Sequence, residues 1–124
     1  MNGQQKPMKR LIVTFEAFDV IVVPFPFTDR TTSKRRPALV LSDAGKFNRH
    51  VGQSVLAMIT SASNSDWPLD VNIQNLDDAG LPSASIVRMK LFTLDNKLVI
   101  RKAGMLAERD RSAVSTAIRQ LLDL

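Results

Sequence analysis

Short apolar runs, separated by turn-forming residues, occupy the chain from Asp19 to Lys90 and limit its fold more than any other feature. The first run, 19–23, is rich in β-branched residues and predicts a strand with both faces largely buried. We expect Pro24 and Pro26 to end its ladder, because proline has no N–H to donate. Similar patterns predict strands at 38–41 (opened by Pro37), 54–60, 70–73 and 84–90, with short apolar pieces at 92–94 and 98–100.

Only the C-terminal part of the chain has a helical period. Its apolar residues recur at i, i+3, i+4, i+7 and i+8 and form one stripe, which consists of Val114, Ala117, Ile118, Leu121 and Leu122. Short strands followed by one helix predict a mainly β protein with a C-terminal α-helix, built as a small antiparallel barrel.

The length of 124 residues fits one domain. Residues 1–10 are mostly polar and contain Gly and Pro, so we expect a flexible N-terminal tail followed by a single domain at 11–124. The apolar run at 11–13 is too short for a signal peptide, and no apolar run is long enough to span a membrane. A cytoplasmic protein without membrane attachment is therefore the expectation.

The chain contains no Cys and a single His, His50. This excludes a disulfide scaffold, a cysteine nucleophile and a zinc site of several histidines or thiolates, so we predict neither a metal nor a cofactor. Lys and Arg number 17 against 12 acidic residues, and most of this excess lies between Asp29 and His50. Such clustering favours a phosphate-binding face, and the alternative is a solvated loop that keeps the protein soluble.

Four motifs, in order, resemble the MazF/PemK-like toxin family. They are DVIVVPFPF at 19–27, RPALVLS at 36–42, AMITS at 57–61, and SIVR at 85–88 followed by FTLD at 92–95. The resemblance implies an SH3-like plasmid-maintenance-toxin barrel that pairs as a homodimer. It also implies a metal-independent endoribonuclease that cuts single-stranded RNA by attack of the 2′-OH, leaves a 2′,3′-cyclic phosphate and a 5′-OH, and is silenced by a cognate antitoxin.

Carried over by position, the resemblance implies catalytic roles for Arg36, Thr60 and Arg88. A guanidinium can bind two phosphate oxygens at once and stays cationic. A hydroxyl at a strand end can hold a phosphate oxygen or the 2′-OH. The structural alternatives are an ordinary surface arginine before a proline and a hydroxyl that caps a loop amide.

Five further residues are predicted to bind substrate: Ser61, Lys34, Arg35, His50 and Lys90. Lys90 stands where relatives carry an acid, so the general base is left open, and Asp95 is interpreted as a turn residue before Asn96. The ordinary pKa of a histidine suits acid–base chemistry, but His50 matches none of the family's motifs.

Aromatic residues near these motifs have two interpretations each. Phe25 and Phe27 can stack on unpaired bases or pack at a strand end. Trp67, the sole tryptophan, either shapes a dimer or antitoxin groove or packs in the core. A second function also stays open: a non-catalytic RNA- or DNA-binding or topoisomerase-poisoning toxin module on the same barrel. Lys90 favours this second function, whereas Arg36 with Thr60 favours the nuclease.

Overall fold

The computed structural model describes residues 14–25, 34–64 and 66–124. The strands are β1 (Asp19–Phe25), β2 (Lys34–Val40), β3 (Gln53–Ser61), β4 (Val71–Asn72), β5 (Ser85–Asp95) and β6 (Arg101–Met105). The α-helices are α1 (Arg49–Val51), α2 (Leu76–Ala79) and α3 (Glu108–Leu122). A π-helical turn over Ala44–Asn48 precedes α1, and a 3₁₀ turn over Asn96–Leu98 precedes β6. The predicted tail at 1–10 lies outside the described residues.

The six strands form one antiparallel sheet in the order β4-β5-β3-β2-β1-β6. Register shifts interrupt two of its ladders, at Val20/Ile21 in β1 and at Ala57/Met58 in β3. Such irregularities bend a strand and increase its twist, so the sheet curls into a half-barrel. The prediction of a mainly β protein with a C-terminal helix is confirmed.

Residues of β1 alternate between two apolar clusters. Val20 packs in a cluster that includes Val114 of α3. Ile21 and Val23 pack in a second cluster, together with Phe15. Because neighbouring residues of a strand face opposite sides, the sheet is covered on both faces. The interpretation of 19–23 as a strand buried on both faces is therefore confirmed.

The strand ends differ from the sequence-based expectation. β1 continues through Pro24, which pairs with Arg35. Val22 O accepts a hydrogen bond from Ile100 N, so the backbone groups of Val22 and Pro24 face away from β2. The β6 ladder has already ended at Val22, and the missing N–H of Pro24 therefore costs no ladder bond. Pro26 lies outside the described residues.

Other boundaries also differ. β2 begins at Lys34, so Arg36 lies within the strand, whereas the predicted strand began only after it, at Pro37. β5 joins the predicted strand at 84–90 and the apolar piece at 92–94 into one continuous strand. β6 was not predicted, because RKAGM has no apolar alternation.

Two glycines bring α2 against β6. A Cβ on Gly80, which has a φ of +70°, would lie 2.0 Å from Ala103 O, and a Cβ on Gly104 would lie 2.3 Å from Asp78 O. Only glycine allows this approach. The contact fixes the start of the 81–85 segment, which forms one wall of the candidate site.

In the part of the chain that the structure describes, no helix is both long and apolar enough to cross a membrane.

Candidate active site

The candidate site begins where β2 and β3 separate. These strands pair only from Val40–Leu56 to Ala38–Met58, although both continue further. Leu41 N donates to Val55 O of β3, and backbone groups alternate along a strand, so position 37 would also direct an N–H toward β3. Proline has none, and the ladder ends there.

Two adjacent pockets open at this separation, and both are lined by Arg36, Ile59 and Thr60. Continuing the β2–β3 register by two residues brings Arg36 level with Thr60. The narrow pocket, of about 190 Å³, is completed by Phe25, Met58, Trp67, Arg88 and Lys90. The wide pocket, of about 350 Å³, is completed by Lys34, Arg35, Pro37, Ser61, Leu81, Pro82, Ser83 and Ser85.

Arg36 carries a cation without a carboxylate partner among the described residues. Its side chain is half-buried, and its Nε atom is buried and has no hydrogen-bond partner in this part of the chain. Its guanidinium carbon lies 5.4 Å from the centroid of the Phe25 ring. A buried donor without an acceptor costs roughly 1–3 kcal/mol, so an anion entering either pocket would gain a preformed partner.

Arg88 also lines the narrow pocket, from β5, which pairs with the other edge of β3, and it is bound by Asp70. Its Nε and Nη2 atoms donate to Asp70 Oδ1 and Oδ2 at 3.2 and 2.9 Å. Both side chains are largely buried, at 11% and 13% exposed. Hydrogen bonds from Arg88 lower the pKa of Asp70 below its usual value, and burial opposes this in part. The same hydrogen bonds raise the pKa of Arg88 further above its usual value.

The Asp70 carboxylate also positions the neighbouring loop. Trp67 N donates to Asp70 Oδ2 at 2.9 Å. The Arg88 guanidinium carbon lies 5.1 Å from the centroid of the Trp67 ring. One carboxylate thus fixes both a cation and the aromatic ring stacked on it.

The two hydroxyls that end β3 are bonded differently. Thr60 Oγ1 accepts a hydrogen bond from Asn64 Nδ2 at 2.5 Å, which leaves its own proton for another acceptor. Ser61 Oγ accepts from Ser63 N at 3.2 Å, which is the turn-capping role named as the structural alternative. Thr60 is the better placed of the two to donate to a ligand.

Seven of the eight predicted site residues line the two pockets. They are Arg36 and Thr60 in both, Arg88 and Lys90 in the narrow one, and Lys34, Arg35 and Ser61 in the wide one. His50 lies instead on α1, beyond the other end of β3. Gln53 and Thr60 are seven residues apart, or about 23 Å at the usual rise of a strand, so His50 does not join the group.

Clustering of charge predicted one basic face at 29–50, and the described residues of that segment do not lie together. Its described part divides into Lys34–Arg36, at the start of β2, and Lys46 and Arg49, beyond its end. The extended strand between them keeps the two groups apart.

A family model described as the PemK-like, MazF-like toxin of type II toxin–antitoxin systems matches residues 16–122. The chain belongs to this family. It is therefore a toxin of a type II toxin–antitoxin system. No curated protein sequence matches this toxin closely enough to add to that assignment.

Solved structures show the same fold. A MazE–MazF crystal structure (Form III) from Deinococcus radiodurans is 21% identical with a TM-score of 0.72, over 90% of the toxin and 99% of that chain. An endoribonuclease in complex with its cognate antitoxin, from a mycobacterial species, is 17% identical with a TM-score of 0.69, over 90% and 95%. Mycobacterium tuberculosis toxin MazF-mt6 is 23% identical with a TM-score of 0.64, over 86% and 97%. The predicted barrel class of the toxin is confirmed.

Sequence reasoning missed Asp70 as a site residue. It lies 18 residues from Arg88 along the chain, and the β4–β5 pairing of Val71 with Val87 brings them together. No local pattern signals such a pair. Asp95 lies at the far end of β5, where its side chain accepts from Lys97 N, so it is a turn residue as interpreted. Within the described residues of the toxin, no three His, Asp or Glu side chains gather as metal ligands would.

Proposed function

We propose that this toxin is an endoribonuclease that cuts single-stranded RNA where the two pockets meet. The observation that carries the proposal is Arg36, whose buried Nε lacks a partner among the described residues and whose side chain borders both pockets beside Thr60. The name of one structural relative, an endoribonuclease, supports it.

In the proposed reaction the 2′-OH of the RNA attacks the adjacent phosphorus and loses its proton. The bond from phosphorus to the 5′ oxygen breaks, and that oxygen takes up a proton. The products are a 2′,3′-cyclic phosphate and a 5′-OH. The nucleophile belongs to the substrate, so the protein has to position the phosphate and stabilise its developing charge, and no metal or cofactor is required.

Arg36 is the main phosphate-binding group in this proposal, because its guanidinium offers charge and paired donors to the pentacovalent intermediate. Thr60 donates its remaining proton to a non-bridging oxygen. Arg88 supplies a second cation, oriented by Asp70. Lys34, Arg35, Ser61 and Lys90 line the outer parts of the pockets and bind the flanking phosphates. His50 has no place in this site.

Asp70 is not the general base in this proposal. Both of its oxygens already accept hydrogen bonds, and its pKa is lowered by Arg88. A carboxylate that holds its charge this firmly is a weak proton acceptor near neutral pH. Its place is to orient Arg88 and Trp67.

We also propose that the toxin forms a homodimer and is inhibited by a cognate antitoxin in the cytoplasm. The structures of MazF with MazE, and of an endoribonuclease with its antitoxin, support the antitoxin. The C-terminal apolar stripe supports the dimer, because Leu121 and Leu122 are 39% and 52% exposed in the single chain. The Lys34–Arg36 group offers an acidic antitoxin segment the surface that would otherwise bind RNA.

The test is incubation of the purified toxin with mixed-sequence single-stranded RNA in EDTA. We expect cleavage without divalent metal, 5′-OH product ends, and resistance where the cut site carries a 2′-deoxy or 2′-methoxy sugar. RNA that stays intact in EDTA and is cut with added magnesium excludes this mechanism. RNA that is bound but cut in neither condition favours the binding module, to which Lys90 in the narrow pocket lends some support.

A further inference from the structure

Trp67 is exposed at the narrow pocket although it is the largest apolar side chain of the toxin. It is 43% exposed, and neither apolar core cluster of the described residues includes it. Core packing, one of its two sequence-based interpretations, is therefore wrong. The ring nevertheless has a defined place, because Arg88 stacks on it and its backbone N–H is bound by Asp70.

The surroundings of Trp67 combine the two elements by which proteins bind single-stranded nucleic acid. One is a cationic groove, which Arg36, Arg88 and Lys90 provide in the same pocket. The other is an aromatic surface on which a base can stack, and such stacking contributes roughly 1–3 kcal/mol per base. With Arg88 covering one side of the indole, the exposed remainder of the ring is available to a base.

We infer that Trp67 stacks on an unpaired base next to the phosphate bound by Arg36, with Asp70 as the positioning residue of the platform. The inference rests on the proposed function, since it places RNA in the same pocket. A base within a duplex already stacks on both neighbours and must leave them to reach the indole. Trp67 is thus the residue that makes the toxin prefer unpaired RNA.

Trp67 is the only tryptophan in the sequence, so the tryptophan fluorescence of the toxin reports on this ring alone. The probe is a mixed-sequence single-stranded RNA with fluorine in place of every 2′-OH, which cannot undergo the proposed attack. Inorganic polyphosphate supplies the same type of charge without bases, and a duplex of the same sequence supplies stacked bases. We expect the single strand to quench the emission, and polyphosphate and the duplex to leave it nearly unchanged.

Affinity provides the second measurement. Trp67→Ala should weaken binding of the single strand by roughly 5- to 100-fold, and Trp67→Phe should weaken it less. The salt dependence of binding should not change in Trp67→Ala, because no phosphate contact is lost, whereas Arg36→Ala should reduce its slope by about one. Phe47→Ala is the matched control, since Phe47 is 37% exposed and lies outside both pockets.

Asp70→Asn tests whether Asp70 positions Trp67, and the readout is the tryptophan fluorescence. We expect Trp67 to become more accessible to acrylamide and to be quenched less by the single strand. Unchanged accessibility and quenching in Asp70→Asn would overturn that role.

The outcomes separate this inference from the proposed function. One outcome is that single-stranded RNA binds, that Arg36→Ala weakens this binding, and that neither the Trp67 emission nor the affinity of Trp67→Ala changes. This outcome overturns the stacking platform and leaves the proposed nuclease site in place. Quenching by polyphosphate to the same extent as by RNA also overturns the platform. Absence of any RNA binding overturns both.

Discussion

Arg36 and Arg88 are two arginines of the same pocket, and each lies beside an aromatic ring, at 5.4 and 5.1 Å from its centroid. Arg88 is bound through two donors to Asp70, whereas Arg36 has no carboxylate partner among the described residues and leaves Nε without an acceptor. An arginine that already pairs with a carboxylate has fewer donors for a phosphate, so Arg36 is the more available of the two cations. For this reason the proposed nuclease mechanism gives Arg36 a larger part than Arg88.

Replacing Arg36 is the strongest test of this comparison. Arg36→Ala should lower the cleavage rate by roughly 100-fold or more, the usual effect of losing a preorganised charge stabiliser, while the far-UV circular dichroism stays unchanged. Arg49→Ala is the matched control, because it removes the same charge from the exposed helix α1, outside both pockets. Wild-type rates in Arg36→Ala would contradict the assignment.

Arg88→Ala should cost less, roughly tenfold in rate, which corresponds to one charge-assisted hydrogen bond. This variant also leaves Asp70 without its cation. The double variant Arg88→Ala/Asp70→Ala should therefore cut RNA no more slowly than Arg88→Ala. The coupling energy between the two residues is calculated from the rates of the wild type, the two single variants and the double variant. A loss in Arg88→Ala larger than that in Arg36→Ala would reverse the comparison.

The strands and the C-terminal helix could be predicted from the sequence because apolar periodicity records which faces are buried. β6 could not, because it lies at the edge of the sheet and its side chains are exposed or only partly buried. The predicted end of β1 at Pro24 was wrong for a geometric reason. A missing N–H interrupts a ladder only if it would have faced a paired strand, and the sequence does not show which way it faces.

Some residues of the candidate site could likewise be predicted from the sequence, and others could not. The motifs around Arg36 and Thr60 single out two residues that line the same two pockets, although Arg36 lies within β2 and not before it. His50 was grouped with Arg36 on closeness along the chain, but β2 and α1 carry it to another part of the molecule. The Asp70–Arg88 pair depends on the pairing of β4 with β5, which no local pattern reports.

Thr60→Val tests the neutral hydrogen-bond donor that lines both pockets together with Arg36. The substitution keeps the branched shape and removes the hydroxyl, so we expect a loss of several-fold in rate, which corresponds to one neutral hydrogen bond. Single-turnover kinetics would show whether the loss lies in the chemical step or in RNA binding. Thr93→Val is the matched control, because it removes the same hydroxyl from an exposed position of β5 outside both pockets, and an equal effect there would contradict the assignment.

The smallest effect that we expect is a pH dependence of the folding stability, which should come from the Arg88–Asp70 pair and not from Arg36. Arg88 lowers the pKa of Asp70 in the folded protein below the unfolded value of about 4. The pair therefore contributes its full stability above that unfolded value, and this contribution is lost as the pH falls through the lowered folded pKa. Thermal unfolding of the wild type and of Asp70→Asn should differ by a constant few degrees at pH 6–8, and the difference should shrink below about pH 4. Arg36 has no such partner among the described residues, so Arg36→Gln should show no comparable narrowing, and a narrowing in Arg36→Gln would mean that this cation is also tied to a carboxylate.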